Sequence, residues 1–139
     1  MRNMILLTLI VSTLFAGNAS NDIESIQQKN QKMLKLYDYE KLIKDMIYRL
    51  DRINSDLKYV KDEKTAKRVV SSIKRNFTQF NSLNKKMANM PAPSLEIQKK
   101  LRKKYDADFT ASASEFQGLI AELATKEYAA ELMQVMQSE

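Results

Sequence analysis

The chain contains no cysteine and no histidine, and these two absences exclude many routes to catalysis and metal binding. Without cysteine there are no disulfides and no thiol chemistry. Without histidine the chain lacks the commonest general base near neutral pH and the usual nitrogen ligand for zinc, copper or haem. Asp106 and Asp108 point in different directions on a helix, and Ser112 and Ser114 have no histidine to activate them. We therefore expect a protein that is not an enzyme and has no cofactor or metal.

Glycine and proline are also scarce, with two of each in 139 residues. Both residue types interrupt helices, so their scarcity indicates long, uninterrupted helices. The two prolines, Pro91 and Pro93, stand close together and predict a single strong break. No alternation typical of strands occurs in the sequence. The composition therefore favours an all-α fold.

The first nineteen residues have the layout of a secretory signal peptide. Arg2 provides a positive start, residues 4–16 are uncharged, and Gly17 and Ala19 are small residues placed for a cut after Ala19. The apolar stretch is shorter than the roughly 20 residues that a bilayer-spanning helix needs, which disfavours a retained anchor. We expect residues 1–19 to be removed and residues 20–139 to form an exported protein, periplasmic or extracellular.

Residues 20–139 amount to a single domain, large enough to bury a core without disulfides or metal. A near-ideal heptad predicts a first helix at about 33–60, packing with the geometry of a coiled coil. A homo-oligomer formed through the face of Leu36, Ile43, Leu50 and Leu57 is an alternative use of this pattern. The full seam consists of Leu36, Tyr39, Ile43, Met46, Leu50, Ile53, Leu57 and Val60.

Further helices are predicted at about 63–90, 95–124 and 126–137. Asp62 and Ser94 are good N-cap residues for the second and third of the four helices, and the prolines end the second. The predicted fold is all-α: an antiparallel three-helix bundle, or long helical hairpin, with a short C-terminal helix and a preceding signal peptide. Tyr37, Tyr39 and Tyr105 all fit the apolar stripes, so we expect their side chains to be buried.

Charge is segregated along the chain, whose formal net charge is +6. Residues 58–104 hold fourteen Lys or Arg against three Asp or Glu, whereas residues 105–139 hold one against seven. An antiparallel hairpin of the second and third helices would lay acidic groups of one beside the basic start of the other. In that register Glu115 comes within reach of Lys67, Arg68 or Lys74.

The basic residues around the prolines are not explained by this hairpin pairing. If the first helix also packs antiparallel to the second, its early lysines reach the same end. We predict an anion-binding tip there, with an envelope lipid or acidic polymer as a better target than nucleic acid for an exported protein. The alternative is a solvated end that only keeps the protein soluble. The ten residues are Lys29, Lys32, Lys35, Lys85, Lys86, Lys99, Lys100, Arg102, Lys103 and Lys104.

Three short stretches mark the two ends of the predicted hairpin: Lys61-Asp62-Glu63 with Ala66-Lys67, residues 91–96, and Leu101 with Lys104-Tyr105. Through them, residues 60–123 resemble a family of small, uncharacterised exported helical-hairpin proteins. The resemblance implies a helical fold and no particular activity. Many members are lipoproteins, whereas this chain has no cysteine to carry a lipid.

Three functions are consistent with these patterns. The first is a non-catalytic exported helical protein that binds an anionic envelope partner through the basic tip, including peripheral contact with a membrane. The second is a periplasmic chaperone or adaptor that holds polypeptide clients on a face lined by methionine and aromatic residues. The third is a self-associating structural coiled-coil protein.

Overall fold

The computed structural model describes residues 35–137, and this part of the chain is all-helical, as predicted. The predicted signal peptide, Lys29, Lys32 and the expected helix start at residue 33 lie outside the described residues. No strand occurs between residues 35 and 137. The elements are α1 (Leu36–Tyr59), α2 (Glu63–Asn89), α3 (Leu95–Leu123), a 3₁₀ turn (Glu127–Ala129) and α4 (Ala130–Gln137).

Side-chain caps begin α2 and α3 at the positions that the sequence indicates. Asp62 accepts a hydrogen bond from the Thr65 amide through its Oδ1 atom at 2.8 Å. Ser94 accepts one from the Ile97 amide through its Oγ atom at 3.3 Å. Each cap satisfies an amide that has no partner within its own helix, which stabilises the first turn.

Helix α1 lies against both α2 and α3, while the backbones of α2 and α3 remain farther apart from each other. Its seam is the centre of the core, and Ile43, Met46 and Leu50 are at most 1% exposed. The predicted oligomer face therefore lies inside the bundle, except for the half-buried Leu36. Self-association through that face stays a prediction, and it requires the bundle to open.

Polar side chains fix how α1 sits against its two neighbours. On the α2 side, Arg49 donates to the Asn76 Oδ1 atom at 2.9 Å. On the α3 side, Ser112 donates to the Asp51 Oδ1 atom at 2.5 Å, and the Asn54 amide nitrogen donates to the Ser112 carbonyl at 3.0 Å. Asp56 lies after Arg49 in α1 and contacts Ser72, which lies before Asn76 in α2, so these two helices are antiparallel. Glu40 pairs with Lys104 and Asp51 with Ser112, so α1 and α3 are parallel.

The predicted pairing of Glu115 with α2 is wrong, because Glu115 forms an ion pair with Lys58 of α1. Glu115 lies one helical turn after Ser112, so both side chains share the flank of α3 that faces α1. The predicted helix at 126–137 divides into the 3₁₀ turn and α4, which both pack against α2. Leu132 of α4 is fully buried there.

Candidate functional site at the proline end

We use the name proline end for the part of the bundle where α1 begins, α2 ends and α3 begins, around the connection at residues 90–94. Tyr39 holds the start of α1 to this connection, because its hydroxyl donates to the Pro91 carbonyl at 2.8 Å. The Tyr39 side chain is 3% exposed, and burial, followed by the nearby Asp38 charge, raises the pKa of its hydroxyl. The hydroxyl therefore stays protonated and able to donate.

Eight of the ten residues of the predicted tip lie at the proline end, and all eight are exposed. Lys35 directly precedes α1. The others lie in the last turns of α2 or in the first three turns of α3. The described members are Lys35, Lys85, Lys86, Lys99, Lys100, Arg102, Lys103 and Lys104, whereas Lys29 and Lys32 lie outside the described residues.

Two of these eight cations already have carboxylate partners. Lys100 pairs with Glu96 one turn earlier on α3 at 3.2 Å, and Lys104 pairs with Glu40 of α1 at 2.8 Å. The other six form no ion pair with any residue between 35 and 137. Their positive charge is therefore not neutralised by the fold.

Glu40 connects α1 to α3 at the proline end. One carboxylate oxygen accepts from both the Lys104 ammonium at 2.8 Å and the Tyr105 hydroxyl at 3.1 Å. The hydrogen bond from Lys104 is the main reason why the pKa of Glu40 is lowered, and the reciprocal bond raises the pKa of Lys104. Lys104 is therefore held in a contact within the fold. The six cations that have no carboxylate partner among the described residues are the ones available to an anion.

Tyr37 and Leu95 are large side chains that the proline end leaves in solvent, at 67% and 49% exposed. The expectation of burial holds for Tyr39 and Tyr105 but is wrong for Tyr37. Tyr37 follows Leu36 on α1 and is rotated by about 100° from the seam, which carries it away from the core. Leu95, the first residue of α3, was not among the functional residues predicted from the sequence.

An exposed stripe of tyrosines along the outer face of α1 was also not predicted from the sequence. Tyr37, Tyr48 and Tyr59 are spaced by 11 residues, which is about three helical turns, so they point the same way. All three are more than 45% exposed. Arg49 lies 5.2 Å from the centre of the Tyr48 ring, and Arg68 donates to the Tyr59 hydroxyl at 3.2 Å. The stripe could have been predicted from the regular 11-residue spacing of these tyrosines.

The described residues offer little that would hold a metal or cross a membrane. Between residues 35 and 137 no three Asp or Glu side chains come together in a way that could bind a metal ion. None of the helices in this range combines the length and apolar character that a membrane span requires. A groove between α2 and α4 is lined by Lys67, Val70 and Tyr128, among others, and is open to solvent.

No protein-family model, curated protein or solved structure matches this chain. The resemblance to exported helical-hairpin proteins therefore stays a prediction that rests on the stretches at the two ends of α2 and α3.

We predict that Glu40→Gln reduces the loss of stability on acidification. Because the folded state lowers the pKa of Glu40, its ionised form stabilises the fold above the ordinary value of 4.5, and this contribution disappears as the pH falls through the lowered value. The thermal midpoint of the variant should be lower than that of the unmodified chain at pH 7 and should change less between pH 5 and pH 2.

The matched control is Glu122→Gln, which removes an exposed carboxylate from the other end of α3. Glu122 forms no ion pair within residues 35–137, so the midpoint of this variant should follow that of the unmodified chain across the pH range. Equal pH dependence of the two variants would contradict a stabilising role for the contact between Glu40 and Lys104.

Proposed function

We propose that this chain is a non-catalytic exported helical protein whose proline end binds an anionic component of the cell envelope, either lipid headgroups or an acidic polymer. The observation that carries the proposal is the group of six exposed cations without a carboxylate partner. An anionic ligand would neutralise charge that the fold leaves unpaired.

The stability of the helices does not require these cations where they are. Lys99 lies in the second turn of α3, where the helix dipole gives a positive charge no stabilisation. Lys85 and Lys86 suit the carboxyl end of α2, but a single cation there would have the same effect on the dipole. A role in binding explains why cations of both α2 and α3 gather at the proline end better than a role in folding does.

Export is the second part of the proposal, and it rests on the signal-like layout of residues 1–19. An exported protein meets anionic lipid headgroups and acidic polymers before it meets nucleic acid. The absence of cysteine is compatible with this route, since the core of α1, α2 and α3 is apolar and needs no disulfide.

The chaperone alternative has less support from the described residues. Met46 and Met136 are buried, and Met87, Met90 and Met133 are half-buried, so these methionines form no open face for a polypeptide client. The large exposed side chains are three tyrosines and one leucine, and the tyrosines lie about three helical turns apart along α1, so they form no continuous apolar face for a client. Anion binding at the proline end is therefore the function that we favour.

Replacing Lys85, Lys86, Lys99 and Lys103 together by Gln should weaken binding to anionic vesicles by roughly 100-fold or more. Each basic residue near an anionic bilayer contributes about 1 kcal/mol, and Gln preserves helix propensity. Co-sedimentation with vesicles of phosphatidylglycerol and phosphatidylcholine measures this, in low and high salt. The chain should start at Ser20, because residues 1–19 could partition into vesicles by themselves.

The matched control replaces four exposed cations far from the proline end, which also form no ion pair within residues 35–137, by Gln. It removes the same charge, but the nearest of these residues lies about 20 Å along α2 from its end, beyond a Debye length of about 10 Å. Binding should change little. Equal weakening by the two sets would show that net charge alone drives binding and would contradict a site. The control residues are Lys61, Lys64, Lys74 and Arg75.

Export predicts that the protein recovered from the envelope or medium of its own cells begins at Ser20. Sequencing of the amino terminus measures this directly. A protein that retains Met1 and stays in the cytoplasmic fraction would overturn the export part of the proposal. It would leave the vesicle experiment unaffected, since that experiment uses the chain from Ser20.

A further inference from the structure

Residues 90–95, which include the connection between α2 and α3, carry no charge, although lysines stand on both sides. Lys85 and Lys86 precede this segment, and Lys99 and Lys100 follow it. Residues 90–94 are each half-buried, so part of Met90 and of the two prolines reaches solvent. The proline end thus presents a small apolar tip with lysines on both sides, and the carboxylate directly beside it, Glu96, is paired with Lys100.

Leu95 is the most apolar group of this tip. It is 49% exposed and does not join the buried stripe of α3, which begins at Leu101. Tyr37 of α1 is 67% exposed, and the hydrogen bond from Tyr39 to Pro91 holds its helix beside the same connection. Tyr37 forms no hydrogen bond or ring contact with any residue between 35 and 137. Two helices therefore bring one aliphatic and one aromatic side chain to the end where the unpaired cations gather.

We propose that the anionic partner is the surface of a phospholipid bilayer and that the proline end enters its headgroup layer, with Leu95 and Tyr37 reaching the apolar boundary. This inference rests on the proposed function and names its partner. A bilayer offers phosphates to the cations and hydrocarbon to Leu95. A soluble acidic polymer offers the first and not the second. Tyrosine suits the boundary because its ring is apolar and its hydroxyl polar.

The distances along the helices are consistent with a bundle whose proline end contacts the bilayer and whose opposite end points away from it. Lys99 and Lys103 lie about 6 and 12 Å beyond Leu95 along α3, within or close to one Debye length of the surface. Their aliphatic stems can extend toward the headgroups while the ammonium groups contact phosphate. The opposite end of α2 lies about 40 Å away, where it would feel little of the surface charge.

The chain has no tryptophan, so a single introduced indole reports on one position without background. In Leu95→Trp, vesicles of equal parts phosphatidylglycerol and phosphatidylcholine should shift the emission to shorter wavelength, and brominated lipid should quench it. In Tyr59→Trp, at the opposite end of α1, the emission should not change. A shift in both variants, or in Tyr59→Trp alone, would overturn the orientation that we propose.

A second variant separates this inference from the proposed function. Leu95→Gln keeps every cation and changes an exposed first helical position, so circular dichroism should show the fold intact. It should bind the same vesicles about tenfold more weakly, the effect of removing an aliphatic side chain from an apolar contact. Its binding to soluble inorganic polyphosphate should equal that of the unmodified chain.

The outcomes differ for the two proposals. If Leu95→Gln binds vesicles as the unmodified chain does and Leu95→Trp shows no shift, the bilayer inference fails, while charge-dependent binding of vesicles or polyphosphate keeps the proposed function. If the unmodified chain binds neither vesicles nor polyphosphate at low salt, both fail. If it binds polyphosphate alone, the ligand is an acidic polymer and the bilayer inference is overturned.

Discussion

The seam of α1 is buried between α2 and α3, and its burial determines where the other helices pack. Ile43, Met46 and Leu50 are each at most 1% exposed. Among the described helices, α1 alone packs closely against two other long helices. Apolar contact alone would allow the helices to slide along one another. The polar contacts of Asn54 and Asp51 with Ser112 remove that freedom for α3.

The register has a cost in the core. The Asn54 side chain is 2% exposed, and its Oδ1 atom has no hydrogen-bond partner in the described part of the chain. An unsatisfied buried acceptor costs about 1–3 kcal/mol. The hydrogen bond from Asn54 to the Ser112 carbonyl would be lost if α3 moved along α1. The same alignment brings Glu40 beside Lys104. Contacts in the middle of the bundle thus help to determine which residues meet at the proline end.

The architecture has a direct consequence for function. Because the apolar seam lies inside, the described surface consists mainly of charged and polar groups, and its large apolar side chains are Leu95 and the three tyrosines of α1. The ends of three segments meet at the proline end, and each brings cations that the fold does not pair. For this reason we propose binding at the proline end and not on the flank of α1, although the stripe of three tyrosines is also exposed.

The sequence predicts the features that depend on local chemistry or on periodicity. The heptad of α1 identifies buried residues, and Asp62, Ser94 and the prolines mark where helices begin and end. It does not predict features set by rotation or by the choice of neighbour. Tyr37 lies one residue from the seam, which is enough to turn it outward, and Glu115 pairs with α1 because α3 uses α1 as its neighbour instead of the α2 helix joined to it by the prolines.

Amide hydrogen exchange of the chain from Ser20, measured with and without anionic vesicles, distinguishes binding through the proline end from binding through the flank of α1 or through an opened core. We expect vesicles to slow exchange at the start of α1, in the last turns of α2 and at residues 90–104, while the amides of the α1 seam exchange as slowly as before. That result would mean that a closed bundle binds through its proline end. Slower exchange confined to the middle of α1, or faster exchange along its seam, would rule out binding by a closed bundle through its proline end, because binding would then use the tyrosine stripe or open the core.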